Sequence, residues 1–378
     1  MPMKLRVGII FGGKSAEHEV SIQSAKSIFE ALDREKYEPL LIGVDKAGTW
    51  HLGRDASFIL NASDPMLIAL NASAPEVVPV ERQGGALALV SPHDGQRLQS
   101  VDVFIPIIHG TFGEDGSLQG LLRLLNVPYV GADVLGSAVG MDKGVMKRLL
   151  REAGIPIPKF VEVRSHELGA LDTARSIAAV GGLPVFVKPC NLGSSVGIRK
   201  VKGAEDLEPA LRDAFRYDRK ALVEEAIAGR EIECAVLGND FPEASICGEV
   251  IPTHEFYDYD AKYIDENGAI LKIPADLHAA TSDRIRALAV EAFKALECAG
   301  LGRVDFFLKE DGTALVNEIN TLPGFTKISM YPKLWGATGL PYPALLDRLI
   351  VLAQERHARE NALERGASPP AESSQGRE

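Results

Sequence analysis

Residues 302–320 constrain this chain more than any other stretch. They read Gly302-Arg303-Val304-Asp305-Phe306-Phe307-Leu308-Lys309, then Glu310-Asp311-Gly312, then Thr313-Ala314-Leu315-Val316-Asn317-Glu318-Ile319-Asn320. Two alternating runs about an Asp-Gly pair predict a β-hairpin. A two-residue turn at Asp311-Gly312 sets Glu310 across from Thr313. Counting back, it sets Asp305 opposite Glu318 and Arg303 opposite Asn320. Side chains alternate along a strand, so these four share one face. Val304, Phe306, Leu308, Leu315 and Ile319 take the other and read as core. Opposed carboxylates with Cβ atoms only ~5 Å apart repel. A cation between them removes that cost, and two carboxylates with an amide oxygen are hard ligands suited to Mg²⁺. The alternative is a solvated acidic face. A three-residue turn would slip the register and turn Glu318 away.

With 378 residues the chain is long enough for two or three domains, and at 46% hydrophobic and 25% charged it has an ordinary globular composition. A formal net charge of -11 argues against nucleic acid as a partner. No apolar run reaches membrane-spanning length, so no membrane partner is expected. Met1 to Phe11 reads as a first buried strand, not a signal peptide. Cys190, Cys234, Cys247 and Cys298 are widely spaced, without a C-x-x-C pair, which suits free thiols in a reducing cytoplasm.

The N-terminal third alternates strand and helix. Strands are predicted at Leu5 to Phe11, Pro39 to Val44 and Val101 to Ile108, the last a continuous apolar run expected of a doubly buried strand. Val20 to Leu32 has helical spacing. Ser117 can cap a helix that buries Leu118, Leu121, Leu122 and Leu125. Residues 51–99 are weakly patterned and read as loop-rich. This is a doubly wound α/β pattern, whose ligands sit at strand C-terminal ends. Further on, Met141 to Ala153 reads as a helix ending at Gly154, and strands follow at Pro184 to Lys188, Val196 to Val201, Ala221 to Glu225, Ile232 to Leu237 and Ser245 to Ile251. Ser282 to Cys298 and Tyr342 to Arg359 read as helices. The fold class is therefore α/β, passing to α+β in the C-terminal part. The expected divisions are 1–136, 137–222 and 223–359, with a polar, disordered tail over 360–378.

Gly8-Ile9-Ile10-Phe11-Gly12-Gly13-Lys14-Ser15 matches the Walker A pattern literally. A phosphate cradle needs loop backbone between its glycines, whereas Ile9, Ile10 and Phe11 belong inside a strand. Gly12 and Gly13 suit a tight strand-to-helix turn that brings Ser15, Glu17 and a helix start to a ligand. Lys188-Pro189-Cys190-Asn191-Leu192-Gly193-Ser194-Ser195-Val196-Gly197 joins two strands through small residues whose N–H groups can wrap an anion, with Lys188 supplying charge. Lys143 is a second candidate phosphate ligand. Val223-Glu224-Glu225-Ala226-Ile227-Ala228-Gly229-Arg230-Glu231 links two strands. Such a connector can meet adenine through its backbone while a carboxylate holds ribose; alone it is only an acidic loop.

Together the lysine, the small-residue loop, the acidic connector and the hairpin resemble an ATP-grasp ligase. His109-Gly110-Thr111-Phe112-Gly113-Glu114-Asp115-Gly116-Ser117-Leu118-Gln119-Gly120 is similar to a signature of the D-alanine–D-alanine ligase family. Arg303-Val304-Asp305 with Asn317-Glu318-Ile319-Asn320-Thr321-Leu322-Pro323-Gly324 resembles that family's second signature, and Phe256 to Tyr263 its mobile loop. The likeness runs from Leu5 to about His357. It implies that Lys143, Lys188, Ser194, Ser195 and Lys262 serve the ATP phosphates, with Asn317 and Glu318 beside them. Glu224, Glu225 and Ile227 would serve adenine and Glu231 ribose. Asp305, Glu318 and Asn320 would hold two Mg²⁺ ions, with Mn²⁺ as a substitute. Glu17, Ser194 and Tyr263 would form one hydrogen-bonded network. Glu17 and His109 would position the first D-alanine, and Arg303 with the Gly324 N–H would stabilise an oxyanion. Ser329 and Met330 would grip the second carboxylate; the family often has Leu at the latter position.

The resemblance implies a cytoplasmic, homodimeric enzyme that spends ATP to make D-alanyl-D-alanine for peptidoglycan precursors. Tyr263 would favour the dipeptide, since relatives using D-lactate carry Phe there. Relatives that use D-lactate or D-serine, another ATP-grasp carboxylate–amine ligase, and a nucleotide-binding regulator without turnover are the alternatives. A lone histidine beside a strand end is also commonly structural, which is the alternative for His109.

Overall fold

A computed structural model of the chain describes residues 3–53, 55–61, 68–71, 73–80, 87–193, 196–252 and 269–364. The first sheet is built on Leu5–Gly12, buried along nearly its whole length because both faces are covered. It runs parallel to Tyr37–Val44 on one side and to Val103–Pro106 on the other, and Trp50–Gly53 adds an antiparallel edge. The third strand is shorter than the apolar run predicts. Val101 ends the preceding strand, Arg97–Val101, and Asp102 turns aside to bond the Arg6 backbone and guanidinium. Gly12 and Gly13, both at φ +89, make the expected tight turn, and the helix His18–Ala31 follows.

Residues 51–99 are more ordered than their composition predicts. Val78–Val80, Leu87–Val90 and Arg97–Val101 form a three-stranded antiparallel sheet, and Ile59–Leu60 pairs with Ala69–Leu70. These strands are too short to show periodicity, and their burial comes from packing Val77, Leu87 and Leu89 against the first sheet's Leu40 and Phe104. Helix Ser117–Leu124 also differs from expectation. Its cap position is Gly116 at φ +92, and Asp115 rather than Ser117 accepts the free N–H, 2.9 Å from Ser117 N. Leu118 and Leu122 are buried, Leu125 partly, while Leu121 faces outward.

The helix predicted over Met141 to Ala153 is Lys143–Glu152, and Met141 instead ends a separate preceding helix, Val134–Met141, that the sequence did not announce. Asp142 breaks them and caps the second, accepting from the N–H groups of Gly144 and Val145 at 3.1 and 3.0 Å. An antiparallel sheet of order Phe160–Arg164, Lys220–Glu225, Val185–Pro189, Arg199–Val201 follows, with helices Thr173–Ala179 and Leu207–Ala214 completing a core of its own. The last sheet is antiparallel throughout, in the order Ala269–Lys272, Glu243–Pro252, Arg230–Gly238, Gly300–Leu308, Ala314–Asn320. Helix Ala279–Ala295 covers one face with Ile285, Leu288, Ala292 and Phe293. It starts a turn earlier than Ser282 and stops before Glu297, whose φ of +53 is left-handed. The other face packs Ala235, Leu237 and Val250 against helices Met330–Thr338 and Tyr342–Asn361, which in turn meet Val7, Ile9 and Ile28 of the first unit.

Candidate functional site

Strands Gly300–Leu308 and Ala314–Asn320 place Asp305 opposite Glu318 and Arg303 opposite Asn320, as the sequence predicts, but by another route. The turn is not the two-residue one. Lys309 N–H donates to Thr313 O, leaving a three-residue loop, Glu310 to Gly312, with Gly312 at φ +82. Alone that loop would slip the register by one. The slip is undone between Asp305 and Phe306, where Val316 pairs with Phe306 and Glu318 with Asp305, so Asn317 is an extra residue in a β-bulge. The bulge puts both Asn317 and Glu318 on the site face. It also corrects Leu315, expected in the core: Leu315 is half-buried opposite Phe307 on the site side, and Ala314, Val316 and Ile319 take the core side.

This face floors a cleft of about 400 Å³. Glu17, Gly110 and Glu114 reach it from the first unit and Lys143, Leu192 and Gly193 from the middle of the chain. Glu231, Glu233, Arg303, Asp305, Phe307, Asn317, Glu318, Asn320, Gly324, Ser329 and Met330 come from the last part. Arg303 binds Asp305 through two bonds of 2.7 Å, and its Nε lies 2.9 Å from Glu233. Lys143 Nζ lies 3.1 Å from Glu318 Oε2 and donates to Leu192 O at 2.8 Å. Burial disfavours the Lys143 charge, but Glu318, helped by Cys190 and Glu224, outweighs it and holds the ammonium above its ordinary range. Glu17 packs on the small-residue loops: a Cβ on Gly110 would lie 2.7 Å, and on Gly193 3.3 Å, from Glu17 Oε2. Ser329 stands at the N-cap position of helix Met330–Thr338 without a capping bond, its hydroxyl accepting from the Thr326 N–H instead, and the first-turn N–H groups from Met330 onward lack helical acceptors.

Lys188 is buried beneath the cleft rather than lining it. Its ammonium donates to Glu224 Oε1 at 2.5 Å and to Asn317 Oδ1 at 3.2 Å. Glu224 is itself 1% exposed, with Lys147 Nζ 2.8 Å from its other oxygen. Burial opposes its charge, and the two lysines outweigh that and hold the carboxyl below its usual range. Glu224 thus meets cations where adenine was expected. Glu225 accepts from the Lys159 N–H at 3.2 Å, Ile227 is half-buried, and only Glu231 of the connector lines the cleft. His109 also stays out of the lining. Its ring nitrogens meet Leu322 O at 3.0 Å and Ser24 Oγ at 3.1 Å, and burial lowers its pKa. It ties the first unit to the segment after the hairpin. Lys14 is exposed over the Gly48 turn, away from the cleft. Ser194, Ser195, Lys262, Tyr263 and the whole Phe256 to Tyr263 segment lie outside the described residues.

Three site residues were not singled out from sequence. Glu114 accepts from the Gly110 N–H at 2.7 Å, and burial together with the charge of Glu17 pushes its carboxyl up to about 8. It stands inside the quoted His109 to Gly120 stretch, so the signal was present. Lys147 follows Lys143 by four residues on one helix, a spacing that predicts a shared face. Glu233 alternates with Glu231 along a strand and so shares its face.

Asp305, Glu318 and Asn320 suit a hard divalent cation. Asn320 Oδ1 accepts one bond, from Leu322 N at 3.1 Å, and has a second lone pair. Among the described residues no group of three or more His, Cys, Asp or Glu side chains could hold a metal. A cation here would draw its remaining ligands from water and a phosphate substrate, which is the usual habit of Mg²⁺.

The sequence matches the family described as D-ala D-ala ligase N-terminus over residues 6–132 and that described as D-ala D-ala ligase C-terminus over residues 149–351. It is 54% identical over 364 residues to the D-alanine–D-alanine ligase A of Chromobacterium violaceum, covering 96% of this chain and 98% of that one. The structure of the D-alanine-D-alanine ligase from Coxiella burnetii matches with a TM-score of 0.82 and 41% identity over 95% of this chain and 96% of that one. The VanG D-Ala:D-Ser ligase from Enterococcus faecalis matches with a TM-score of 0.81 and 35% identity, over 93% of this chain and 100% of that one.

Proposed function

Because the chain belongs to the D-alanine–D-alanine ligase family, whose members share an ATP-grasp fold, we propose that it joins two D-alanine molecules at the expense of ATP. The observation that carries this reading is the convergence in one cleft of Glu17, Lys143, Gly193 and the Arg303–Asp305–Glu318–Asn320 face. A carboxylate accepts an amine poorly at neutral pH because oxide is a poor leaving group. Transfer of the γ-phosphoryl group to the first D-alanine makes an acyl phosphate, with ADP released. The amine of the second D-alanine attacks its carbonyl, and the tetrahedral oxyanion collapses with loss of phosphate.

Lys143 presents its charge to the phosphates, and Lys188 adds charge from beneath. Glu17 takes the ammonium of the first D-alanine, and His109 holds the segment behind it. Arg303 and the Gly324 N–H face the oxyanion, and removing such a donor costs ~3 kcal/mol. The helix start at Ser329 and Met330 takes the second carboxylate, as helix N-termini do. Asp305, Glu318 and Asn320 would hold two Mg²⁺ ions, or Mn²⁺ in their place, which neutralise charge on the transferring phosphoryl group. Glu231 serves the ribose. By resemblance Ser194, Ser195, Lys262 and Tyr263 complete the phosphate and lid contacts.

The test is coupled ADP release with D-alanine as the only amino acid, with product identification. ATP binding without ADP release would leave a non-catalytic regulator. The likeness to a D-Ala:D-Ser ligase supports a second nucleophile as the competing reading. The greater identity to a D-alanine–D-alanine ligase favours the dipeptide, and products formed from D-alanine mixed with D-serine or D-lactate decide between them. The family likeness also supports a cytoplasmic homodimer, to be tested by sedimentation. Among the described residues no helix is long and apolar enough to cross a membrane.

A further inference from the structure

The ligation chemistry assigns no task to Lys147, which pairs with the buried Glu224. Lys147 is 1% exposed and absent from the cleft lining. A lysine so enclosed is costly unless paired. Its ammonium lies 2.8 Å from Glu224 Oε2 and donates to the main-chain carbonyl of Asn317 at 3.0 Å. Asn317 is the bulge residue, the one position of its strand left out of the Gly300–Leu308 ladder. Its side chain is held separately by Lys188, and its neighbour Glu318 by Lys143, one helical turn before Lys147. A regular ladder continued from the three-residue loop would set Asp305 opposite Asn317 and turn Glu318 into the core.

We propose that Lys147 is a positioning residue: its ammonium clamps the Asn317 bulge through the backbone carbonyl and thereby fixes the register in which Asp305 and Glu318 face one cation. This rests on the reading of Asp305, Glu318 and Asn320 as cation ligands. Met146 and Leu150 anchor the helix in the same core as Val304, Val316 and Ile319, so the clamp and the hairpin move as one body.

The test compares wild type, Lys147→Met and Asp305→Asn in the full chain. Mn²⁺ binding in the presence of ADP is followed by electron paramagnetic resonance, and amide exchange by mass spectrometry without metal or nucleotide. Lys147→Met is expected to weaken Mn²⁺ binding about tenfold or more, equivalent to ~1.4 kcal/mol. Exchange is expected to rise across Ala314–Asn320 but not across Arg230–Gly238. Wild-type Mn²⁺ affinity in Lys147→Met overturns the proposal, as does exchange that rises equally throughout the sheet. Asp305→Asn separates the two readings. If it too binds Mn²⁺ like wild type, the cation assignment falls and the clamp with it. If it loses Mn²⁺ while Lys147→Met keeps it, only the clamp falls. Should Lys147→Met fail to fold, Lys147→Met with Glu224→Gln carries the test, because it removes the buried charge left short of a partner while still deleting the donor to the Asn317 carbonyl. The same Mn²⁺ loss is then expected, and undiminished binding overturns the clamp.

Discussion

Glu318 Oε2 lies 3.1 Å from the Lys143 ammonium, and Asp305 takes two donors of Arg303, so both acids of the facing pair already answer a cation. Glu318→Gln keeps the shape and removes the charge. ADP release should fall on the order of 100-fold or more, since loss of even an outer partner of a metal ligand costs ~10–100-fold. The melting temperature should hold, because Lys143 retains Leu192 O. Near-normal turnover at saturating Mg²⁺ would remove Glu318 from the metal site. Lys188→Ala should damage nucleotide binding severely, whereas Lys14→Ala, at an exposed position away from the cleft, should barely alter it. Equal losses in the two would revive the Walker reading. Glu114 gives a pH signature. It faces Glu17, Lys143, Arg303 and His109, and burial first, then Glu17, raise its carboxyl from 4.5 to about 8. The folded protein therefore keeps a proton that the unfolded chain has lost. This contribution to stability is complete below the unfolded value and is lost as pH rises through the folded one. Glu114→Gln should lose less melting temperature than wild type between about pH 5 and about pH 9. Parallel curves would show that Glu114 titrates normally.

In the hairpin, loop and bulge are separate devices with opposite effects on register. Gly312 sits at φ +82, and a Cβ there would meet nothing within 4 Å, so an alanine feels only backbone strain. Gly312→Ala should cost about 1 kcal/mol of stability with ligation per folded molecule unchanged. Loss of ligation would mean that strain at the loop passes the bulge and reaches Glu318. The same pair of devices explains what was readable in advance. Asp311-Gly312 announced the hairpin, and alternation placed Arg303, Asp305, Glu318 and Asn320 on one face. The turn length was misread, and the facing pair survived only because the bulge adds back the residue that the loop takes away. No local pattern announces that bulge. Its partners, Lys147 and Lys188, lie about 170 and 130 residues away in the chain, as their separations of 170 and 129 show. The ion pairs of Glu224, a residue named in advance only for adenine, escaped for a related reason: an acidic connector looks solvated until two lysines from other elements close on it. Helix Val134–Met141 and the break at Asp142 were missed because that short run carries two glycines and little helical propensity, so the predicted helix began only at Met141.

At the scale of the molecule, cores do not follow the order of the chain. Val7, Ile9 and Ile28 near the N-terminus share one apolar cluster with Ala235, Leu301, Tyr331 and Leu349 from beyond residue 230. The antiparallel sheet between Phe160 and Glu225 keeps its own cluster, from Val163 to Val223. It meets the rest near the cleft through polar contacts: Lys188 to Asn317, Glu224 to Lys147, and Leu192 O to Lys143. Apolar burial scales with area and cannot be lost piecemeal, whereas a few ion pairs can open together. The first and last thirds should therefore unfold as one cooperative unit, and the sheet between them as another. Calorimetry without nucleotide is expected to show two transitions. A nucleotide held, as proposed, between Lys188 on one side and Lys143 and Glu231 on the other bridges both units. At about 100 times its dissociation constant it adds ~2.7 kcal/mol, which should raise the lower transition toward the upper one. Exchange measured in parallel should show the Phe160–Glu225 region opening first when nucleotide is absent. A single transition without nucleotide, with uniform exchange, would mean that the buried ion pairs weld the two units as firmly as a shared core.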